Sequence, residues 1–176
     1  MNHRRKLFCV IYYRFARWLP KSYSKFGGKI SMKIRYYVCK QIFAYCGKNV
    51  NIEHGAVFGT GFNIRIGDNS GIGINANIPD GTVIGRNVMM GPNCFVHSVN
   101  HRFDRVDIPM CEQGYYPPKA LIIEDDVWIG QNVTIMVGRK ISCGSIIAAN
   151  CVLTKDFPPY SIVGGNPSQL IRSRKQ

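Results

Sequence analysis

From residue 66 onward, aliphatic residues in this 176-residue chain stand six apart. Ile66, Ile72, Ile78, Ile84, Met90 and Val96 form one series, and Ile123, Ile129, Ile135, Ile141, Ile147 and Leu153 form a second. Two such unbroken series would arise by chance in roughly one sequence in a hundred thousand. A step of six matches neither a helix, at about 3.6, nor a half-buried strand, at about 2. It fits a chain coiling through very short strands, each stacked on the one before, so the expected architecture is a solenoid.

Four positions after an anchor a second small or branched residue recurs: Ser70, Ala76, Thr82, Val88 and Cys94, then Val127, Val133, Ser145 and Cys151. Each short strand is therefore expected to send two side chains inward. Glycine follows the anchor directly at 67, 73, 85, 91 and 130. Because glycine tolerates positive φ, these residues are read as the corners of the coil. Val50, Ala56 and Phe62 keep the period before the register slips, which implies an irregular first coil.

Upstream the pattern changes to helical spacing. Leu7, Val10, Ile11, Phe15, Trp18 and Leu19 mark one amphipathic helix ending at Pro20, and Ile30, Ile34, Tyr37, Val38, Ile42 and Tyr45 mark another ending at Gly47. The net charge of +13 belongs to this region, where residues 1–52 hold twelve Lys or Arg and no acid, while the remainder has eleven bases against ten acids. A nearly neutral body with a basic head is a neutral machine carrying an electrostatic docking element. Nucleic acid is not the expected partner, since no helix-turn-helix, RNP or zinc-finger pattern accompanies the charge. Aromatics interleaved with cations in LFCVIYYRFARW have the composition of an interfacial helix on anionic lipid. Capping of the open coil end is an equal and compatible reading.

The apolar run Leu7 to Tyr13 is interrupted by Arg14 and Arg17, with no small-residue cleavage site after it, and no stretch approaches the roughly 20 apolar residues of a membrane span. A cytoplasmic protein is expected, with peripheral contact at the inner face of the membrane. The seven cysteines lack the paired spacings of a zinc or redox site and are read as reduced thiols.

A solenoid is scaffolding, so function is sought where the repeat breaks. It breaks from about 97 to 121, a stretch that holds His97 and His101 with Asp104, Asp107 and Glu112. The surrounding residues, VWIGQNVTI, VLTKDFPPYSIVGGNPSQLIR and NHRFDRVDIPMCEQG, resemble the hexapeptide-repeat acyltransferases, and most closely the O-acetyltransferases that modify sugars in polysaccharides. The resemblance runs from near Val50 to Arg172. It implies an all-β fold, a left-handed parallel β-helix with a loop excursion at 97–121. The expected division is a basic helical segment at 1–48, the β-helix at 49–156 and a C-terminal tail at 157–176. Met136, Val137, Gly138 and Arg139 depart from the family's usual corner and put Arg139 at an inward position, so one locally distorted turn is expected.

The resemblance also implies the chemistry: direct acetyl transfer from acetyl-CoA to a sugar hydroxyl in polysaccharide or cell-envelope glycan assembly. His101, in the loop after the Pro92-Asn93 corner, aligns with the family's catalytic histidine, and an imidazole that is mostly neutral near pH 7 can accept the hydroxyl proton. Asp104 either orients that imidazole or is a solvated turn aspartate, and Glu112 has a similar claim. Asn75, His97 and Glu112 fall on the acceptor side. Trp128, Gln131, Ala149, Thr154 and Lys155 match positions that contact coenzyme A, with Lys155 also a free-standing cation for an anionic donor. Trp128 packing between subunits is the plain alternative. A Cys94 or Cys111 acyl-enzyme is conceivable but disfavoured, because Cys94 holds an inward repeat position.

A homotrimer is implied by the family, and membrane contact would make the saccharide acceptor a lipid-linked one. The same motifs would serve acetylation of an antibiotic, serine or a free sugar. No metal is expected: a zinc site of the γ-type carbonic anhydrase kind wants three converging histidines, and only His54 and His3 remain beside His97 and His101.

Overall fold

The computed structural model describes residues 3–175; Met1, Asn2 and Gln176, the outermost residues of the expected head and tail, lie outside the described residues. From Tyr45 the chain winds through two-residue strands that stack in parallel on three faces. The first face carries Tyr45–Cys46, Arg65–Ile66, Val83–Ile84, Ile122–Ile123 and Lys140–Ile141. The second carries Phe95–Val96, Thr134–Ile135 and Val152–Leu153, continued by bridges from Phe95 to Asn77 and from Asn77 to Val57. The third carries Met89–Met90, Trp128–Ile129, Ile146–Ile147 and Ser161–Gly164, with Asn51–Ile52 and Gly71–Ile72 joined to it by the Gly71 N–H to Val88 carbonyl bond.

Every anchor of the two series points inward and is buried, Met90 only partly, and the whole second series of small residues is buried beside them. Corresponding residues of successive coils stack at fixed separations. Asn75 donates through its side-chain amide to Asn93, Asn93 to Asn132 and Asn132 to Asn150, pairs 18, 39 and 18 residues apart. The long step contains the loop excursion.

The corners are not made by the glycines that follow the anchors. Positive φ falls two residues later, at Asn69, Asn75, Asn87, Asn93, Asp126, Asn132 and Asn150, with Gly81, Gly138 and Gly144 at equivalent places. Asn and Asp tolerate that region because their short polar side chains bond locally. The glycines answer a different demand, the close approach of stacked backbones. A Cβ on Gly73 would stand 2.0 Å from the Gly91 carbonyl oxygen, and one on Gly130 would stand 2.5 Å from the Ala149 nitrogen.

At Arg139 the coil survives because the charge leaves the core. Nε donates to the Val137 carbonyl at 3.2 Å, and Nη1 reaches the Thr154 carbonyl and, at 3.4 Å, Asp156. In the first coil the Asn49 to Asn69 step is 20 residues. Gly59 and Gly61, both at positive φ, lie in that stretch, and Phe58 and Ile64 join the core.

Two helices cover the open end. Helix α1 (His3–Arg14) leads through a short 3-10 turn at Ala16–Trp18 to helix α2 (Gly28–Ile42). Their inward faces differ from the expected stripes. In α1, Tyr12 is buried and Phe8 and Cys9 half-buried, whereas Leu7 and Val10 are exposed. In α2, Gly28, Ser31, Arg35, Val38, Cys39 and Ile42 are buried, whereas Ile30 and Tyr37 are exposed. The stripe is set by what the coil end offers: carbonyls as well as apolar surface. Tyr12 donates to the Ala56 carbonyl at 2.9 Å and Tyr13 to the Gly59 carbonyl at 2.8 Å. The buried Arg35 guanidinium donates to the carbonyls of Leu19, Pro20 and Ile52 and faces Glu53 at 3.6 Å.

At the other end the stretch read as a tail is structured. Ser161–Gly164 extends the third face, and Gln169–Ser173 returns antiparallel to it.

Candidate active site

The excursion leaves the second face after Val96 and rejoins the first at the buried Leu121. It folds as a two-legged arm. Arg102 N–H bonds to the Gly114 carbonyl at 3.0 Å, Tyr116 N–H to Asn100 at 2.9 Å and Lys119 N–H to Ser98 at 3.0 Å. An antiparallel bridge pairs His101 with Tyr115, whose rings lie 4.2 Å apart between centroids at 39°. His101 is exposed on this arm.

Asp104 accepts a short hydrogen bond from the Tyr116 hydroxyl. That bond holds the Tyr116 phenol above its usual range. The structure thus sets Tyr115, rather than Asp104, against the imidazole. Glu112 closes a 3-10 turn at Met110–Glu112 and is exposed. Asp107 pairs with Arg105, which keeps its carboxyl below the ordinary range.

His97 is held at the root of the arm, its N–H bonded to the Ile135 carbonyl at 2.9 Å and its ring edge-on to Phe95 at 4.9 Å. Asn75 stands in the asparagine ladder at a corner, its amide directed at Asn93. Cys94 lies inside the coil with its thiol 3.3 Å from the carbonyls of Gly91 and Gly130, and burial pushes that thiol up to about 11. At neutral pH it is neither ionised nor accessible, which removes it as a nucleophile.

Trp128, Gln131 and Ala149 line one groove of about 650 Å³ where the third face turns into the second. Its floor is the glycine and alanine column of Gly91, Gly130 and Ala148, where absent or minimal side chains leave the backbone open. Trp128, Ile146 and Ile162, adjacent in register, form one apolar wall. Sequence reasoning missed Pro92, Ile146, Ala148 and Ile162. The available signal was the residue preceding each anchor, which faces outward, and which on this face is apolar at 89, 128, 146 and 162.

Thr154 and Lys155 are elsewhere. They follow the second-face strand Val152–Leu153, on the edge from which the arm departs. Thr154 is bonded through both its N–H and its hydroxyl to Ser168 Oγ at 3.0 Å, and Lys155 Nζ lies 5.5 Å from the Phe157 ring centre. A second hollow of about 300 Å³ opens under the arm, lined by Asn100, Phe103, Tyr116, Lys119 and Arg139. The groove and the root of the arm therefore occupy different edges of the prism, with the second face between them. Among the described residues, no three His, Cys, Asp or Glu side chains converge as metal holders.

Two family models match the two halves of the repeat. One described as bacterial transferase hexapeptide (six repeats) covers residues 63–98, and one described as hexapeptide repeat of succinyl-transferase covers residues 120–155. A chloramphenicol acetyltransferase of Agrobacterium fabrum is 46% identical over 61 residues, 35% of this chain and 29% of the relative, so the match spans less than a third of that relative's length. Two solved structures align over nearly the whole chain. A hexapeptide-repeat acetyltransferase of Vibrio cholerae, complexed with acetyl-CoA, is 29% identical with a TM-score of 0.76, covering 98% of this chain and 86% of that one. A maltose O-acetyltransferase of Clostridium difficile is 27% identical with a TM-score of 0.74, covering 98% and 87%. The shared fold is the left-handed parallel β-helix. Both repeat series are matched, and along its length the chain has the fold of the hexapeptide-repeat acetyltransferases, close to those that acetylate sugars.

Proposed function

We propose that this protein is an acetyl-CoA-dependent O-acetyltransferase acting on a saccharide hydroxyl in polysaccharide or cell-envelope glycan assembly, with His101 as general base. The observation that carries it is the groove beside Trp128. It is apolar-walled and floored by small residues, which suits a flexible pantetheine arm. When bound, acetyl-CoA supplies the electrophilic thioester carbonyl. Trp128, Gln131 and Ala149 would hold the pantetheine, and Lys155, on the far edge of the second face, would offer a cation to the phosphates of a donor seated on a neighbouring copy. The His101 imidazole takes the proton from the acceptor hydroxyl as that oxygen attacks the thioester carbonyl, and can return it to the coenzyme A thiolate as the C–S bond breaks. The maltose O-acetyltransferase likeness supports a sugar acceptor.

The reading includes a homotrimer. The groove and the root of the arm lie on separate edges of one prism, which supports a site completed by the arm of one copy beside the groove of the next. Asn75, His97 and Glu112 are assigned to the acceptor side of that junction, and Asp104 to positioning the arm through Tyr116.

A second reading, acetylation of a small acceptor such as an antibiotic, is favoured by the 46% identity to the chloramphenicol acetyltransferase segment. Coenzyme A release measured across oligosaccharides, lipid-linked glycans, serine and chloramphenicol separates the two. Turnover with saccharides sustains the first reading, turnover confined to chloramphenicol replaces it, and none with any acceptor overturns both.

A further inference from the structure

The cap has two faces, and capping uses only one. Helix α1 turns Phe8, Cys9 and Tyr12 to the coil, while Leu7 and Val10 stand on its opposite side with Arg14, 59% and 57% exposed. Helix α2 buries the Ser31, Arg35, Val38 and Ile42 side and leaves Ile30 and Tyr37 outward beside Lys29 and Lys33. The connection adds Trp18, Tyr23 and Phe26, the last 81% exposed. Both helices lie against the first coil, so these faces point away from the solenoid.

Exposed apolar side chains this dense signal a partner surface. Their setting says which one. Lys6, Arg14, Lys21, Lys25, Lys29, Lys33 and Lys40 are all exposed around them. The nearest acid in sequence, Glu53, is buried against Arg35 and Ser22, so the described part of residues 1–52 presents no carboxylate. Cations sit over rings within the patch: Arg17 is 4.3 Å from the Trp18 ring centre, and Lys25 5.9 Å from that of Phe26.

We infer that this outward face docks the protein on an anionic lipid bilayer. Apolar and aromatic side chains would enter the acyl boundary while the lysines engage headgroup phosphates. A nucleic acid would satisfy the charge and leave Leu7, Val10 and Ile30 in water. A second copy would oppose two cationic faces. Among the described residues no helix is long and apolar enough to cross a membrane, so the contact is peripheral to the bilayer plane for these helices. The inference stands apart from acetyl transfer, because its readout is binding alone.

The test is sedimentation of the full chain with vesicles of phosphatidylcholine alone, or with about 30% phosphatidylglycerol, at low and high salt. The expected result is binding to the anionic vesicles, none to the neutral ones, and release by salt. The double variant Phe26→Ser, Ile30→Ser should bind at least about tenfold more weakly, with an unchanged thermal midpoint because both residues are exposed. Three results would overturn the inference: no anionic-vesicle binding, a double variant that binds like the parent, or duplex DNA binding that outcompetes the vesicles. So would self-association abolished by the double variant with vesicle binding intact. Any of these leaves the acetyltransferase reading untouched.

Discussion

His101 packs ring against ring on Tyr115, centroids 4.2 Å apart, at an antiparallel backbone bridge across the arm. The tyrosine ring backs the imidazole, while the neighbouring carboxylate, Asp104, is engaged by Tyr116. The two tyrosines make the arm stiff enough to present one exposed histidine at a repeatable place.

Replacing that histidine isolates its chemistry. His101→Ala should lose about a hundredfold or more in turnover, the usual cost of a missing general base. Coenzyme A affinity, measured by calorimetry, should stay within about twofold. Unchanged turnover would end the assignment.

Tyr116→Phe removes the donor to Asp104 without removing the ring that lies edge-on to Phe103. If Asp104 serves the arm rather than the reacting atoms, turnover should fall by about tenfold or less, and the pH profile should keep its shape. A shifted profile would instead put Asp104 in direct contact with the imidazole during turnover.

The groove can be blocked without disturbing the coil. Ala149 is exposed, so Ala149→Phe should leave the thermal midpoint unchanged while raising the KM for acetyl-CoA about tenfold or more. Gly130→Ala, one coil away, should fail differently. Its Cβ would press on Ala149 backbone, and the loss should be about 3 kcal/mol of stability.

Gly73 and Gly81 separate the two reasons for glycine. Gly73→Ala meets the Gly91 carbonyl and should cost about 3 kcal/mol. Gly81, at φ +85° with nothing within 4 Å, should cost about 1 kcal/mol as alanine. Chemical denaturation of both variants checks the order.

Arg35 and Glu53 clamp cap to coil. Arg35→Ala should cost about 3–5 kcal/mol, because it leaves a largely buried carboxylate without its cation. Burial pushes the Glu53 carboxyl up, but the donors Ser22, Asn51 and the His54 N–H outweigh it and hold it below the ordinary 4.5. A depressed carboxyl stabilises the fold above its unfolded value and loses that contribution as pH falls through the native one. The stability gap between wild type and Glu53→Gln should therefore shrink below about pH 4.5, as thermal midpoints across a pH series would show.

The solenoid was legible in the chain because period six is a local property: an inward side chain recurs wherever a two-residue strand does, and Ile66 through Leu153 record it without reference to partners. The break at 97–121, and His101 within it, was legible for the same reason, as a departure from the repeat. Contacts between distant residues decided the rest. Which residues need to be glycine depends on the coil above, 18 or 39 residues on, so the corner role belonged to asparagine. Which side of α1 and α2 is buried depends on the carbonyls of Leu19, Ile52, Ala56 and Gly59, and so a buried arginine displaced an isoleucine stripe. The groove, and its separation from the root of the arm by the second face, exist only once strands far apart in the chain are stacked side by side.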